Sequence, residues 1–313
     1  MDNYTAAVLQ LEKHLRIPIS RSQMERVTKY YGAQLTQEEI GLSSAIAVAE
    51  QLKESVSEEG TTYCMIDGSM LPTREGVQHN DWKEVKLGRI FTSNDILELD
   101  ANHNYIRRSV YSAHLGDYHH FLENFTPLTD VFEPLKERFV FIGDGAKWAW
   151  NWVTASYPKA TQILDFYHAM EHLAKFSKTY FATKEAQENW LSARKLDLFN
   201  DRVLAVIQGI KTMNSSNSKI EIERKSLLTY LNNNHSRMLY KTFRDRGLDI
   251  GSGAIESAHR TVLQKRLKQS GQRWSLEGAQ KVINLRIVNM NQQWDKVIEL
   301  IKDKESKEIS KAA

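Results

Sequence analysis

Three carboxylates in this chain occupy places where a carboxylate can do chemistry. Asp67 closes the apolar run of CMIDGS, Asp144 closes that of FIGDGA, and Glu256 opens the helical pattern of GSGAIESAHR. The first two repeat one device, in which an apolar strand delivers an aspartate and then a glycine. Ligands of α/β proteins gather beyond the carboxyl ends of strands, so both aspartates can enter one crevice. Each pair also suits a plain Asp-Gly turn, and Glu256 also suits the helix dipole alone. The surroundings of Glu256 argue for chemistry. From Ala254 to Trp274 five bases (Arg260, Lys265, Arg266, Lys268 and Arg273) stand against that single acid, a local charge of +4 beside +3 for all 313 residues. Such a concentration is the footprint expected for a phosphate backbone, or else a solvated helix face. A carboxylate beside a polyanion needs a positive screen, and a divalent metal provides one.

Three oxygen donors can hold two Mg²⁺ ions, with Mn²⁺ as a substitute, roughly 3.5–4 Å apart. One ion would activate water or a 3′-hydroxyl and the other would stabilise the leaving oxygen, giving in-line phosphodiester cleavage or transfer. Arg260 lies one helical turn after Glu256 on the same face and can clamp a phosphate. Lys265, Arg266, Lys268 and Arg273 would hold the DNA backbone further along. No phosphate-binding G-x-x-x-x-G-K-[ST] loop occurs, so no nucleotide cofactor is expected.

The elements that must position these residues follow from periodicity. Residues 1–58 read as an N-terminal helical region. In it TAAVLQLEKHL is broken at IPIS, Ser20 or Ser22 caps SQMERVTKYYG, Gly32 ends that helix, and a further helix follows. Such helices can form a helix-turn-helix or a plain helical cap. Residues 59–168 alternate strands and helices: TTYCMID ending at Asp67, WKEVKLGRIF, RRSVYSAHLG, a helix from DYHHF, RFVFIGD, the helix KWAWNWVTASYP, and ATQILDFYH. This is the pattern of a mixed α/β sheet. Residues 169–250 contain nothing that reads as a strand and form an all-helical insertion. Residues 251–304 complete the α/β part with the Glu256 helix and C-terminal helices, and 305–313 read as a charged, frayed tail.

The ordered set of strand Asp67, strand Asp144, helical insertion and helix Glu256 resembles a DDE transposase with a ribonuclease-H-like core. The separations are 77 residues from 67 to 144 and 112 from 144 to 256. More narrowly, MIDGSMLPTR, FIGDGAKWAWN, ILDFYHAMEHL and GSGAIESAHRTVLQKRLKQSGQRW are similar to the Kra-type (ISKra) group of bacterial insertion-sequence transposases, over roughly Tyr63 to Val297. The resemblance implies Asp67, Asp144 and Glu256 as the metal-binding triad, and cleavage at element ends followed by strand transfer into target DNA. It implies double-stranded DNA as partner, a homodimer or larger assembly, and a bacterial cytoplasmic, nucleoid-associated protein. It also implies that His168, three residues after Asp165, orients the scissile phosphate or a metal-bound water. Two other outcomes stay open: a nuclease that cuts without joining, and a catalytically silent DNA-binding descendant. Idle carboxylates crowded together repel one another, which argues against the silent form.

Other residues have more than one reading. His168 and His172 stand one turn apart and can bind zinc, but no third ligand has a fitting spacing. Trp148, Trp150, Trp152 and Trp274 can stack on bases or fill a core. The one cysteine, Cys64, excludes an internal disulfide and a four-cysteine zinc module. No apolar run approaches the ~20 residues of a membrane span, and MDNYTAAVLQ lacks the pattern of a secretory signal.

Overall fold

In a computed structural model, residues 3–37, 40–74, 81–100 and 103–312 are described. The chain is a mixed α/β protein that divides into two compact units. Met1–Lys136 and Ile255–Ala313 form one, and Glu137–Ala254 form the other.

The first unit opens with α1 (Tyr4–Gln10), which continues through a π-turn to Leu15, then α2 (Arg21–Gln37) and α3 (Ile40–Glu54). Ser20 caps α2 reciprocally: its hydroxyl accepts from the Gln23 amide at 3.2 Å, and Gln23 Oε1 accepts from the Ser20 amide at 2.8 Å. Helix α2 does not stop at Gly32 but runs past it to Gln37. Gly32 serves packing instead, because a Cβ there would fall 2.1 Å from the Lys281 carbonyl oxygen.

Strand β1 (Thr62–Pro72) pairs antiparallel along its whole length with β2 (Trp82–Thr92). Asp67 therefore sits in mid-strand, opposite Leu87, and not at a strand end. The Asp-Gly pair misleads because Gly68 makes room across the ladder, where a Cβ would come 2.0 Å from Glu84 Oε1. A hairpin of β3 (Ile96–Asp100) and β4 (His103–Ile106) follows, which the sequence pattern did not announce. Its alternation is short and polar. Strand β5 (Val110–Leu115) pairs antiparallel with β2, and α4 (Tyr118–Asp130) comes next.

The second unit is a parallel pair, β6 (Phe139–Gly143) and β7 (Thr161–Leu164), joined through α5 (Lys147–Ser156). Helices α6 (Phe166–Tyr180), α7 (Lys184–Phe199), α8 (Val203–Thr212), α9 (Ser218–Asn234) and α10 (Tyr240–Asp245) then pack on one another. The LNNNHS stretch, polar enough to read as a loop, ends α9 at Asn234 and enters a 3-10 turn at His235. Asn232 and Asn234 fold their amides back onto the Leu228 and Tyr230 carbonyls at 2.7 and 2.9 Å. Trp150 and Trp152 are buried against Phe141, so core packing claims both rings.

The chain returns to the first unit within α11 (Gly253–Ala258), which runs on through a π-turn (His259–Gln264) into α12 (Lys265–Leu267). Helices α13 (Leu276–Met290) and α14 (Trp294–Ala312) close it. Helix α14 runs on to Ala312 and so includes most of the charged tail. Helix α13 packs on α2 and β5. Leu35, Leu285, Val288, Val297 and Leu300 share one apolar cluster. The amide side chains of α13 also close the edge of β5. Asn291 exchanges hydrogen bonds with the Tyr111 backbone at 2.8 and 3.1 Å, and Gln280 accepts from the Leu115 amide at 2.8 Å.

Candidate functional site

Side chains two apart on a strand share a face, so Asp67 and Ser69 look out together from β1. The Asp67 carboxylate is partly exposed, and its Oδ1 accepts from the Gly68 amide at 2.7 Å. Its Oδ2 lies 3.2 Å from Nε2 of His259, close enough for an ion pair once the ring is protonated, though off-angle for a hydrogen bond. His259 is only 3% exposed, and neither ring nitrogen makes a well-aligned hydrogen bond. Buried polar groups in that condition are uncommon in folded proteins. His259 stands three residues after Glu256, on the adjoining turn of the same helical run, and Glu256 itself is exposed. Strand β1 and the Glu256 helix, 189 residues apart in sequence, therefore meet through His259.

The π-turn after His259 frees backbone carbonyls, and Arg286 of α13 donates to two of them, Thr261 and Val262. Lys268 reaches the same face of β1, where its ammonium donates to Ser69 Oγ. Burial pulls the Lys268 pKa down, and the charge of Asp67 opposes that shift. The segment after Lys268 is tied to the end of β1. Trp274 and Thr73 form a parallel bridge, the Arg74 amide donates to the Trp274 carbonyl at 2.8 Å, and the buried indole donates to the Leu267 carbonyl at 2.9 Å. Trp274 is therefore a core residue.

The basic run does not present all five of its charges. Arg260, Lys265 and Arg273 are exposed. Arg266, expected on the DNA face, is 9% exposed and lies between the rings of Tyr4 and Trp274, with its guanidinium carbon 4.5 and 5.0 Å from their centroids. Two aromatic faces outbid solvent for that cation. Arg266→Ala is expected to cost about 2–3 kcal/mol of stability. Lys265→Ala is expected to leave stability within about 0.5 kcal/mol and, on the sequence-based expectation that this residue holds DNA, to lower the salt slope of DNA binding by about 1. Urea unfolding and DNA affinity measured across a salt series would check the pair. Equal behaviour of the two variants would refute the division of roles.

In the second unit Asp144 directly follows β6, and its Oδ1 accepts from the Ala146 amide at 3.0 Å. Gly145, at φ +111°, supplies the left-handed turn between them. Tyr230 of α9, which the sequence did not single out, donates to the Asp144 carbonyl at 3.2 Å. Burial raises the Tyr230 pKa strongly, and the charge of Asp144 raises it further. The Tyr230 ring stacks on His172 at 3.9 Å, and His172 meets His168 at 5.2 Å. Burial also lowers the His172 pKa, reinforced by the charge of His168. His168 is half-exposed on α6, and its Nδ1 lies 3.6 Å from Glu171. The helices of this unit thus reach the Asp144 turn through one aromatic chain.

Asp165, three residues before His168, is structural in its contacts. It is 4% exposed and caps α6 at the Tyr167 amide, 3.0 Å away. Its other oxygen accepts from the Ser252 hydroxyl at 2.7 Å, which pins the glycine-rich turn ahead of α11.

No family model matches the chain, and no curated protein matches it significantly.

Proposed function

We propose that this protein is a DDE-type DNA transposase with a ribonuclease-H-like catalytic core, which cuts DNA at the ends of an insertion sequence and joins the freed ends to target DNA. The observation that carries this reading is the seating of the Glu256 helix on the Asp67 strand through the buried His259. A buried imidazole three residues after Glu256, held 3.2 Å from the Asp67 carboxylate, supports a shared site for the two acids. The donor set of two aspartates and one glutamate is all hard oxygen, which fits Mg²⁺ or Mn²⁺. Asp67, Asp144 and Glu256 would hold two such ions, which supply Lewis-acid activation of the attacking oxygen and neutralisation of the leaving one.

The protein's own groups have separate tasks in this reading. Arg260, Lys265 and Arg273, exposed after Glu256, grip phosphates of double-stranded DNA. Lys268 sits beside Asp67 and offsets its charge when a phosphate approaches. His168 orients the scissile phosphate. A homodimer or larger assembly holds two element ends together.

The test is incubation of the purified protein with Mg²⁺ and a plasmid carrying the DNA that flanks its gene, followed by mapping of 3′ ends and of joined products. Cuts at the boundaries of inverted repeats, with joined strands, support the transposase. Cutting without joining would make it a nuclease, and tight binding without cutting would make it a silent DNA-binding descendant.

A further inference from the structure

Away from the carboxylates, the turn from β5 into α4 gathers a second set of ligands. His114 lies on β5, Asp117 caps α4, and His120 stands in the first turn of that helix. One ligand atom from each lies within 4.8 Å of the other two, and among the described residues this is the one such group of three or more His, Cys, Asp or Glu side chains. The spacing His-x₂-Asp-x₂-His is plain in the sequence, yet it spans a strand-to-helix junction, so helical spacing does not flag it.

The turn that holds the group is fixed from outside. Gly116, at φ +126°, takes a backbone conformation that side-chain-bearing residues rarely adopt. Its amide donates to the Glu84 carbonyl at 2.9 Å, and its carbonyl accepts from Lys86 Nζ at 2.6 Å. The Lys86 charge is itself paired with Glu84 at 2.7 Å. Asp117 Oδ1 accepts from the His119 and His120 amides, which leaves Oδ2 facing Nδ1 of His120 at 2.6 Å. The rings of His114 and His120 stack at 5.5 Å. His114 is half-buried, whereas Asp117 and His120 are exposed. Both histidines line a cleft of about 460 Å³ together with Glu123, one turn further along α4.

We propose that His114, Asp117 and His120 form a binding site for a divalent transition ion of the Zn²⁺ type, with its fourth position open to the cleft. Two imidazoles and one carboxylate select Zn²⁺, Co²⁺ or Ni²⁺ over Mg²⁺, which wants oxygen and keeps its waters. Tetrahedral bonds of ~2.0–2.1 Å place neighbouring donors ~3.3 Å apart, so a modest turn of the exposed His120 ring closes the shell. Glu123 or water completes it. The site is independent of the catalytic reading above, because it uses none of those residues.

The experiment titrates the chelator-treated full chain with Co²⁺, followed by its visible d–d absorption, and then displaces Co²⁺ with Zn²⁺. One equivalent of Co²⁺ in tetrahedral or five-coordinate absorption is expected, released by Zn²⁺ and untouched by excess Mg²⁺. His114→Ala should weaken binding at least ~10-fold. Asp117→Asn should do the same while keeping the helix cap, since asparagine caps as well as aspartate. His172→Ala should bind as the unaltered chain does. Absence of stoichiometric binding, unchanged affinity in His114→Ala, displacement by Mg²⁺, or loss confined to His172→Ala would each overturn the site.

Discussion

Asp144→Asn is expected to lower Mg²⁺-dependent DNA cleavage at least ~10³-fold while leaving DNA affinity within about threefold. Asparagine keeps the Oδ1 acceptor that the Ala146 amide uses at 3.0 Å, so the turn after β6 survives. What disappears is one negative charge and one hard donor. Metal ions at such sites supply several kcal/mol of transition-state stabilisation. At 1.36 kcal/mol per tenfold, about 4 kcal/mol corresponds to the 10³-fold stated. In the proposed function DNA is held by lysine and arginine contacts to phosphate, and removing an acid does not weaken those. Asp67→Asn and Glu256→Gln should behave alike. Quantified 3′ ends and a gel-shift titration on the same preparations separate the two effects. Cleavage by Asp144→Asn above about 1% of the unaltered rate would remove Asp144 from the triad.

The second large effect is on stability. Gly32→Ala is expected to destabilise the first unit by about 2 kcal/mol, although alanine is the better helix former. Propensity favours alanine in a helix interior by about 1 kcal/mol. Against that, the new methyl would lie 2.1 Å from the Lys281 carbonyl oxygen, and backbone cannot swing aside as a side chain can. Overpacking of this kind costs about 1–3 kcal/mol and occasionally more. The separation forced on α2 and α13 would also loosen the bonds from Asn284 to the Gly32 carbonyl at 2.9 Å and to Thr36 at 2.6 Å. A urea unfolding midpoint in Gly32→Ala equal to or above that of the unaltered chain would show that the two helices part at no cost.

Gly32 also marks a limit of reading from sequence. A glycine closing an amphipathic run looks like a helix stop. Only α13, about 250 residues further on, explains it as a point of close approach. Asp67-Gly68 misleads for the same reason, since a turn pair and a strand position that must clear Glu84 look identical without β2. Charge counting located the basic segment but could not see Tyr4 and Trp274 enclosing Arg266. Tyr230 gave no local signal at all, because its partner is the Asp144 carbonyl, 86 residues away. What was legible was local and strong: the apolar strands before Asp67 and Asp144, the helical run of residues 169–250, and Glu256 at the head of its helix. His259 was in plain view three residues after Glu256, and its burial against Asp67 was not.

The order in which the chain is made gives one of these contacts a history. Asp67 and β5 emerge early, whereas His259 and α13 belong to the same unit yet follow the whole of Glu137–Ala254. At ~5–20 residues per second, the 192 positions from Asp67 to His259 represent roughly 10–40 s of synthesis. Once β5 has followed, the nascent first unit has the sequence of its antiparallel strands for the rest of that interval but lacks Asn291 and Gln280, the amides that later close the β5 edge. An open strand edge invites pairing with other chains. Contacts of such long sequence separation also form slowly. The β5 edge thus stays open until α13 is made, after the segment that carries His259 to Asp67.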